Sequence, residues 1–338
     1  MTLGIELPQG ARVLVTGATG FTGRVLTHKL VAAGARVVAI VRGSSQRADL
    51  AELPVEWIEG DVFDPDVVHQ ATRNVEYIFH VAAAYREAKI TDDTYRKVHV
   101  ESTKLLAESV VSSGVFKRFL HVSTVGVHGH IDDPPADEQY RFSPGDIYQR
   151  TKAEAEQWIA AFAAQKGLPL TIIRPAAIYG PGDRRLLKLF KMSARRFFPL
   201  FGQGKGLYHL IHVEDLTDIF ITAALAPRAL GEVYIAGNPE PSRLEDIARI
   251  IATEIGNSRL SLLRLPAWPL FLLADVCEAV CKPLGIEPPL YRRRVAFFTK
   301  DRAFDTRKLR NQLDYTYTYS VESGLRETAR WYRSHDWL

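Results

Sequence analysis

A glycine-rich turn close to the start of the chain constrains the fold more than any other feature. Residues 17–23 read Gly-Ala-Thr-Gly-Phe-Thr-Gly, after the apolar run 12–16 and before a helix-period segment. In such a turn the first glycine allows the bend, the second lets the backbone approach a pyrophosphate, and the third allows close helix packing. Because glycine suits any tight turn, the prediction of a dinucleotide site depends on the position of these glycines between a strand and a helix. We therefore predict a dinucleotide site formed by Gly17, Thr19, Gly20, Phe21, Thr22 and Gly23.

Apolar runs of strand length alternate with helix-period segments through the first half of the chain. The runs are 12–16, 37–41, 55–58, 77–81, 119–122 and 170–173, and the helical segments include 22–33, 92–113 and 148–165. These strands are too apolar to have a solvated face, which is typical of a parallel sheet covered on both sides. We predict an α/β fold with a Rossmann-type, doubly wound parallel sheet.

The pattern changes after about residue 175, where the elements shorten and proline and aromatic residues cluster. We predict a nucleotide-binding Rossmann domain over 1–175 and a smaller, mostly substrate-binding C-terminal lobe over 176–338. The runs 209–213 and 232–235 again resemble strands, and we expect both to return to the sheet. A predicted helix at 269–282 either packs into the core or covers an apolar substrate, and its pattern favours the core.

Composition excludes several classes of protein. Hydrophobic residues make up 46% and charged residues 24%, as in globular domains. The net charge of +4 is too small and dispersed for a nucleic-acid-binding surface. Prolines and acidic residues interrupt the most apolar stretch, 265–280, so we predict no transmembrane segment, and residues 1–17 lack a secretory signal pattern. Cys277 and Cys281 lie four apart in a helical segment, where disulfide geometry is rare, which favours a cytoplasmic location.

The end of the second strand bears on cofactor choice. An acidic residue there would hold the ribose 2′-hydroxyl of NAD, but this chain has Arg42, with Ser44 and Arg47 close behind. Guanidinium groups match a 2′-phosphate, so NADP is preferred and NAD remains an alternative. These side chains could also be ordinary solvated loop residues. We place Asp61 and Val62 near the adenine, and Ala82 and Ala83 along the dinucleotide.

A tyrosine and a lysine four residues apart on one helix form the proposed catalytic pair. Tyr148 and Lys152 share a helix face. A free tyrosine has a pKa of about 10, and a nearby ammonium favours the phenolate. The lysine can also hold the ribose of the cofactor. The spacing alone is weak evidence, because 13 tyrosines give on the order of one chance match.

Several further motifs give that pair its context. They are Thr-Gly-Ala-Thr-Gly-Phe-Thr-Gly at 16–23, Phe-His-Val-Ala-Ala at 79–83, Val-Ser-Thr at 122–124, Arg-Pro at 174–175, Tyr-Gly-Pro-Gly at 179–182 and Ile-His-Val-Glu-Asp-Leu at 211–216. In this order, and over nearly the whole chain, they resemble the extended short-chain dehydrogenase/reductase family, part of the NAD-dependent epimerase/dehydratase superfamily.

The resemblance implies hydride transfer at a carbinol carbon, assisted by three side chains. Tyr148 would move the hydroxyl proton, Lys152 would tune it, and Thr124 would hydrogen-bond the substrate oxygen, in preference to Ser123. Pro175 looks like the residue that helps to seat the nicotinamide. One departure is His99, which stands where relatives usually have asparagine. Family resemblance also implies a homodimer through the helices at 92–113 and 148–165.

The resemblance leaves several functions open. Nucleotide-sugar enzymes of the family usually have an asparagine after the sixth strand and an arginine before the Ile-His-Val stretch, where this chain has Ala176-Ala177 and 207–210 as Leu-Tyr-His-Leu. Arg184, Arg185, Lys188 or Lys205 could substitute. The chain looks more like the branch of dihydroflavonol reductases, 3β-hydroxysteroid dehydrogenases and hopanoid-associated proteins.

We therefore expect an alcohol/ketone oxidoreductase acting on a bulky, apolar small molecule, with peripheral membrane contact as an option. A nucleotide-sugar epimerase or dehydratase with tightly bound NAD is the alternative. A non-catalytic cofactor sensor is disfavoured because Tyr148 and Lys152 are both present. Histidines near the predicted site, at 80, 121, 128 and 130, lack metal-ligand spacing, so no metal is predicted.

Overall fold

The computed structural model describes residues 7–84, 91–201, 206–281, 288 and 301–338. Its strands are β1 (Arg12–Thr16), β2 (Arg36–Val41), β3 (Val55–Glu59), β4 (Tyr77–His80), β5 (Arg118–Val122), β6 (Leu170–Pro175), β7 (Ala177–Tyr179), β8 (Phe197–Phe201), β9 (Leu207–Tyr208), β10 (Leu210–His212), β11 (Val233–Ala236), β12 (Ser242–Arg243) and β13 (Ser261–Leu265).

The α-helices of the described residues lie between these strands and at the C-terminal end. They are α1 (Phe21–Ala32), α2 (Pro65–Ala71), α3 (Asp92–Arg96), α4 (Ser102–Val110), α5 (Ile147–Lys166), α6 (Leu187–Ser193), α7 (Val213–Leu225), α8 (Leu244–Glu254), α9 (Trp268–Cys281), α10 (Arg307–Leu313) and α11 (Val321–Ser334).

Seven strands form one parallel sheet in the order β11-β6-β5-β4-β1-β2-β3. The strand order reverses between β1 and β4, and in open α/β sheets the crevice at this point, beyond the carboxyl ends of the strands, binds the ligand. The predicted doubly wound α/β fold is confirmed, and it places the glycine-rich turn at this crevice.

Apolar side chains cover both faces of the sheet, as the continuous hydrophobic runs predict. One core includes Leu26 of α1 and Phe220 of α7, and the other includes Leu106 of α4 and Ile159 of α5. A third core, which includes Phe190, links α6, α8 and α11 with the β8 strand. The first core also contains residues from the end of the chain, Leu309 and Leu313 of α10.

The predicted strand at 209–213 does not join the seven-stranded sheet, which corrects our expectation. The strand observed in this run, β10, pairs with β7 in a separate two-stranded parallel sheet. The other predicted strand, observed as β11, does pair with β6. An apolar run identifies a strand but does not identify its partner, because pairing depends on where the connections carry the chain. The division at residue 175 stays a prediction.

The predicted helix over 92–113 is interrupted. It consists of α3, a π-helical turn at Lys97–Glu101 and α4, and His99 lies in the π-helical turn. Such single turns occur often at functional sites. None of the helices within the described ranges combines the length and the hydropathy that crossing a bilayer requires.

Candidate active site

The glycine-rich turn between β1 and α1 packs against the end of β4. Gly17 has a φ of +73°, and a Cβ atom on it would lie 2.8 Å from the Cα atom of Ala82. A Cβ atom on Gly23 would overlap the carbonyl oxygen of Gly17. Only glycine fits both positions without a shift of backbone. The turn is therefore held tightly, with Ala82 directly beside it.

The start of α1 fits a bound pyrophosphate. Gly20 is the exposed N-cap residue, and no side chain caps the first N–H groups of this helix. By contrast, Asp146 caps α5 by accepting a 2.8 Å hydrogen bond from the backbone of Gln149. Uncapped N–H groups at an open helix start, with the positive end of the helix dipole, suit an anionic ligand. The residues present thus fit a dinucleotide.

A cationic side chain from beyond β7 reaches the same turn. The guanidinium of Arg185 lies 5.3 Å from the ring centroid of Phe21, the first residue of α1. Its Nε atom also donates to buried Asp183 at 2.9 Å. The neighbouring Arg184 lies instead 5.1 Å from the ring of Trp337. Sequence analysis did not anticipate the contact between Arg185 and Phe21.

The residues predicted for the adenosine end lie around the ends of β2 and β3. Arg42 is exposed, and Arg47 lies 5.1 Å from the ring of Trp57 and 4.0 Å from Glu59. Asp61 and Val62 follow β3 and are partly buried. These positions border the carboxyl edge of the sheet.

A histidine anchors the segment after β4. His80 is fully buried, and its Nδ1 atom lies 2.8 Å from the hydroxyl of Thr16, which accepts a 3.2 Å hydrogen bond from the backbone N–H of Ala82. Burial lowers the pKa of His80 to about 3, so the ring is neutral at physiological pH. Ala83 follows Ala82 and is exposed. Ala82 thus lies next to the turn, and the place of both residues along the dinucleotide stays a prediction.

Lysine 152 fastens α5 to the end of β5. Its Nζ atom is buried and donates a 2.9 Å hydrogen bond to the carbonyl oxygen of Val122. Burial lowers the pKa of Lys152 to about 8, against the opposing charge of Glu156. Tyr148 lies one turn earlier, in the first turn of α5, and is partly exposed. The predicted pair therefore combines a buried ammonium group, which anchors α5, with a partly exposed phenol.

The two hydroxyl residues after β5 have different environments. The hydroxyl of Ser123 is buried and donates to Glu156. Thr124 is partly exposed, and its Oγ1 atom accepts a 3.0 Å hydrogen bond from the backbone N–H of Gly126. A Cβ atom on Gly126 would lie 3.2 Å from the side chain of Gln149, the neighbour of Tyr148. The fold thus brings the Thr124 segment to the first turn of α5.

A buried ion pair joins α5 to β6. Arg174 of β6 donates to Glu156 from Nη2 at 2.5 Å and from Nε at 2.9 Å. The same guanidinium donates to the carbonyl oxygen of Glu138 at 2.8 Å. Pro175 is the last residue of β6, buried beside β11. Sequence analysis missed Glu156, although its spacing of four from Lys152 places both on one helix face.

His99 joins the segment after β4 to α5. Its Nε2 atom accepts a 3.0 Å hydrogen bond from the backbone N–H of Ala84, so its Nδ1 atom donates to the hydroxyl of Thr151 at 2.7 Å. Burial, with the nearby charge of Lys152, lowers the pKa of His99 to about 2. Its ring packs edge-on against that of Tyr148, with centroids 5.3 Å apart. His99 thus acts as a neutral bridge behind the phenol.

The other histidines are placed by hydrogen bonds or burial. His128 lies between the carbonyl oxygen of Arg141 and a guanidinium nitrogen of Arg174, each 3.2 Å away. His121 is fully buried, and the exposed His130 lies 3.3 Å from Asp132. Within the described residues, no three His, Cys, Asp or Glu side chains are grouped so that they could hold a metal ion.

Comparison with known proteins agrees with this geometry. The model of the NAD dependent epimerase/dehydratase family matches residues 13–237. A putative dihydroflavonol 4-reductase of Synechocystis sp. is 30% identical over 96% of this chain and 95% of its own length. The 3beta-hydroxysteroid-dehydrogenase/decarboxylase isoform 2 of Arabidopsis thaliana is 29% identical over 93% of this chain, which spans 61% of that protein.

A solved structure extends the similarity to the whole fold. The crystal structure of gox2253 superposes with a TM-score of 0.83 and 28% identity, covering 97% of this chain and all of that one. Since the family model matches well over half of the chain, the match rests on more than the nucleotide-binding turn. The chain therefore belongs to the NAD-dependent epimerase/dehydratase family, the extended short-chain dehydrogenases/reductases, whose members are NAD(P)-dependent enzymes.

Proposed function

We propose that this protein is an NADP-dependent oxidoreductase that interconverts an alcohol and a ketone on a bulky, apolar substrate. The observation that supports the proposal is the hydrogen bond from Lys152 to the carbonyl oxygen of Val122, because it fastens the helix of Tyr148 to the strand that precedes Thr124. These three side chains would carry the chemistry of proton transfer and substrate orientation.

Each of the three side chains has a separate task. When bound, the nicotinamide supplies or accepts the hydride. In the reductive direction, Tyr148 would give its phenolic proton to the substrate oxygen, and the Thr124 hydroxyl would donate a hydrogen bond to that oxygen. With a pKa of about 8, Lys152 is mostly an ammonium at pH 7 and favours the phenolate that remains. His99 would position the phenol and would not exchange protons.

The proposed substrate class follows from the polar groups that a sugar diphosphate would need. His209 is buried, with its Nε2 atom 2.5 Å from the carbonyl oxygen of Asn238. Arg184 lies on Trp337, and Arg185 pairs with Asp183. Lys188 is exposed on α6, and Lys205 lies outside the described residues. Among the described candidates, His209, Arg184 and Arg185 are engaged and Lys188 alone stays free. A single free cation is a weak site for a diphosphate, which favours the sterol- or flavonoid-like class named in the two curated relatives.

Substrate and cofactor screens test the proposal directly. We expect NADPH-dependent reduction of steroid or flavonoid ketones, and Tyr148→Phe to lower kcat at least a thousandfold while the Kd of NADPH changes less than threefold. The matched control is Tyr234→Phe, because that buried hydroxyl has no hydrogen-bond partner within the described residues. Retained turnover in Tyr148→Phe would remove the proton-transfer role.

The nucleotide that accompanies the purified protein tests the alternative reaction. An aliquot is denatured, and the released nucleotide is identified by chromatography. Exchangeable NADP(H) is expected for a reductase, which releases its cofactor in every cycle. Tightly held NAD together with turnover of a nucleotide sugar would overturn the proposal in favour of an epimerase or dehydratase.

A further inference from the structure

Helix α9 presents apolar side chains to solvent instead of to the protein. At 100° per residue, a continuous arc of its surface carries large side chains that are 52–68% exposed: Trp268, Leu272, Leu273, Val276 and Val280. Pro269 and Ala279 lie within the same arc, and Asp275 stands at its edge. We name the five large residues the apolar helix face. Its exposure contradicts the core packing that the sequence pattern favours, because Ala274 is the only buried residue of the helix.

The strands that precede α9 also expose apolar side chains. β13 ends three residues before Trp268 and pairs in parallel with β8. Phe198 is buried in the third core, so the alternate positions Phe197 and Leu263 point away from that core and are exposed. Exposed apolar patches of this extent mark sites of interaction with other molecules or with membranes.

A set of cations lies in the segments around β8 and β13, the strand pair that leads into α9. The segments 184–201 and 255–274 contain basic residues and no acidic residue. Apart from Arg184, which lies against the ring of Trp337, five of these residues are exposed and form no ion pair within the described part of the chain: Lys188, Lys191, Arg195, Arg196 and Arg259. We name these five the basic belt. The guanidinium of Arg196 lies 5.1 Å from the ring of Phe197, so charge and apolar surface are in contact.

We propose that the apolar helix face and the basic belt dock this protein on an anionic lipid surface. A helix with an exposed apolar face lies in the interface of a bilayer, and flanking cations attract anionic headgroups. Tryptophan prefers the depth of the lipid headgroups, and Trp268 lies at the start of the helix. This inference rests on surface chemistry alone and does not depend on the proposed enzymatic activity.

Charge argues for lipid over a second copy of the chain. A two-fold symmetric contact places the same patch of each copy against the other, so two surfaces that each carry the five cations of the basic belt would be brought together. Like charges on two such surfaces oppose association. An anionic bilayer places opposite charge at the basic belt and hydrocarbon at the apolar helix face.

Vesicle co-sedimentation of the 338-residue chain tests the proposal. We expect binding to extruded vesicles of 70:30 phosphatidylcholine and phosphatidylglycerol, and at least tenfold weaker partitioning onto pure phosphatidylcholine or in 0.5 M NaCl. The double substitution Leu272→Asp and Val276→Asp should lower partitioning onto the mixed vesicles at least tenfold. Arg195→Ser with Arg196→Ser should weaken binding to anionic vesicles only.

Matched controls use exposed apolar residues elsewhere on the molecule. Val115 and Leu230 are 49% and 54% exposed, so Val115→Asp and Leu230→Asp add the same charge to other surfaces and should leave partitioning unchanged. Thermal unfolding of every variant checks that the fold is intact. Failure of the wild type to bind anionic vesicles, or binding that Leu272→Asp/Val276→Asp leaves unchanged, would overturn the proposal. Self-association that this variant abolishes, without vesicle binding, would assign the surface to a second copy.

Discussion

Arg42 determines, in our proposal, which nucleotide the protein prefers. It is exposed directly after β2, where an acidic side chain would otherwise meet the ribose hydroxyls. Arg47 lies nearby but already contacts the ring of Trp57 and approaches Glu59. Arg42 is therefore the cation with more freedom to reach a 2′-phosphate, and we assign it the larger share of selectivity.

Arg42→Asp should reverse the cofactor preference. Replacing a cation by a carboxylate removes a charge-assisted hydrogen bond of about 1.5–3 kcal/mol and repels the 2′-phosphate, so the ratio of Kd for NADH to Kd for NADPH should fall at least tenfold. Calorimetric titration measures both constants. Arg36→Asp, at the opposite end of β2, is the matched control and should leave the ratio unchanged. An unchanged ratio in Arg42→Asp would mean that this side chain contacts solvent alone.

The sequence supplies candidate residues for the chemistry, but it does not predict their surroundings. Resemblance favours Thr124 over Ser123, and the structure supplies a physical reason, since the Ser123 hydroxyl is engaged by Glu156. The bridge formed by His99 was not predictable from spacing. It depends on the π-helical turn, which brings the ring between Ala84 and Thr151.

Helix α5 is the element that organises the candidate site, because one face of it carries both the proposed catalytic pair and its support. Lys152 bonds the end of β5, and Glu156, one turn further, pairs with Arg174 of β6. The helix thereby fixes the ends of two adjacent strands. Its first turn, with Tyr148, then lies next to the segment of Thr124 that follows β5.

Glu156→Gln should destabilise the protein by about 3–5 kcal/mol, because it leaves the buried guanidinium of Arg174 without its counter-charge. Urea unfolding measures the change. Glu154→Gln is the matched control on the same helix, since Glu154 pairs with Arg96 at a partly exposed site and should cost less than about 1 kcal/mol. Equal effects of the two substitutions would show that the buried pair does not support α5.

Helices and strands were predictable where one hydrophobic periodicity continues along the whole element. They were less predictable where contacts with distant parts of the chain decide how the element packs. The strands and helices of the nucleotide-binding half lie close to their predicted bounds, because long apolar runs specify them. The predictions for the partner of β10 and for the packing of α9 were wrong for the same reason. An apolar pattern says that a surface is hydrophobic, but it does not say against what the surface packs.

Buried neutral histidines make the stability of the whole molecule depend on pH. Burial lowers the pKa to about 3 for His80, about 2 for His99 and about 4 for His212, against about 6.5 in the unfolded chain. The unfolded state therefore binds more protons below pH 6.5. The stability that these rings contribute is complete above pH 6.5 and is lost as the pH falls towards the folded-state values.

The free energy of unfolding should accordingly decrease between pH 6.5 and about 4.5, with each ring adding a slope that approaches about 1.4 kcal/mol per pH unit. Urea unfolding at pH 7.5, 6.5, 5.5 and 4.5 measures the slope. His99→Asn should reduce this slope by the contribution of one ring, whatever its effect on the free energy of unfolding at pH 7.5. A free energy of unfolding that does not change from pH 6.5 to 4.5 would contradict the neutral, buried state of these rings.

The position of β11 at the edge of the sheet affects how the chain folds as it is made. The outer edge of β6 is covered only by a strand that is synthesised about sixty residues later. At 5–20 residues per second, the ribosome needs roughly 3–12 s to deliver it. Throughout that interval the nascent chain carries an unpaired parallel edge, the kind of surface that recruits other strands. The sheet edge therefore closes only once β11 has been made, and truncation before residue 233 would leave that edge unpaired.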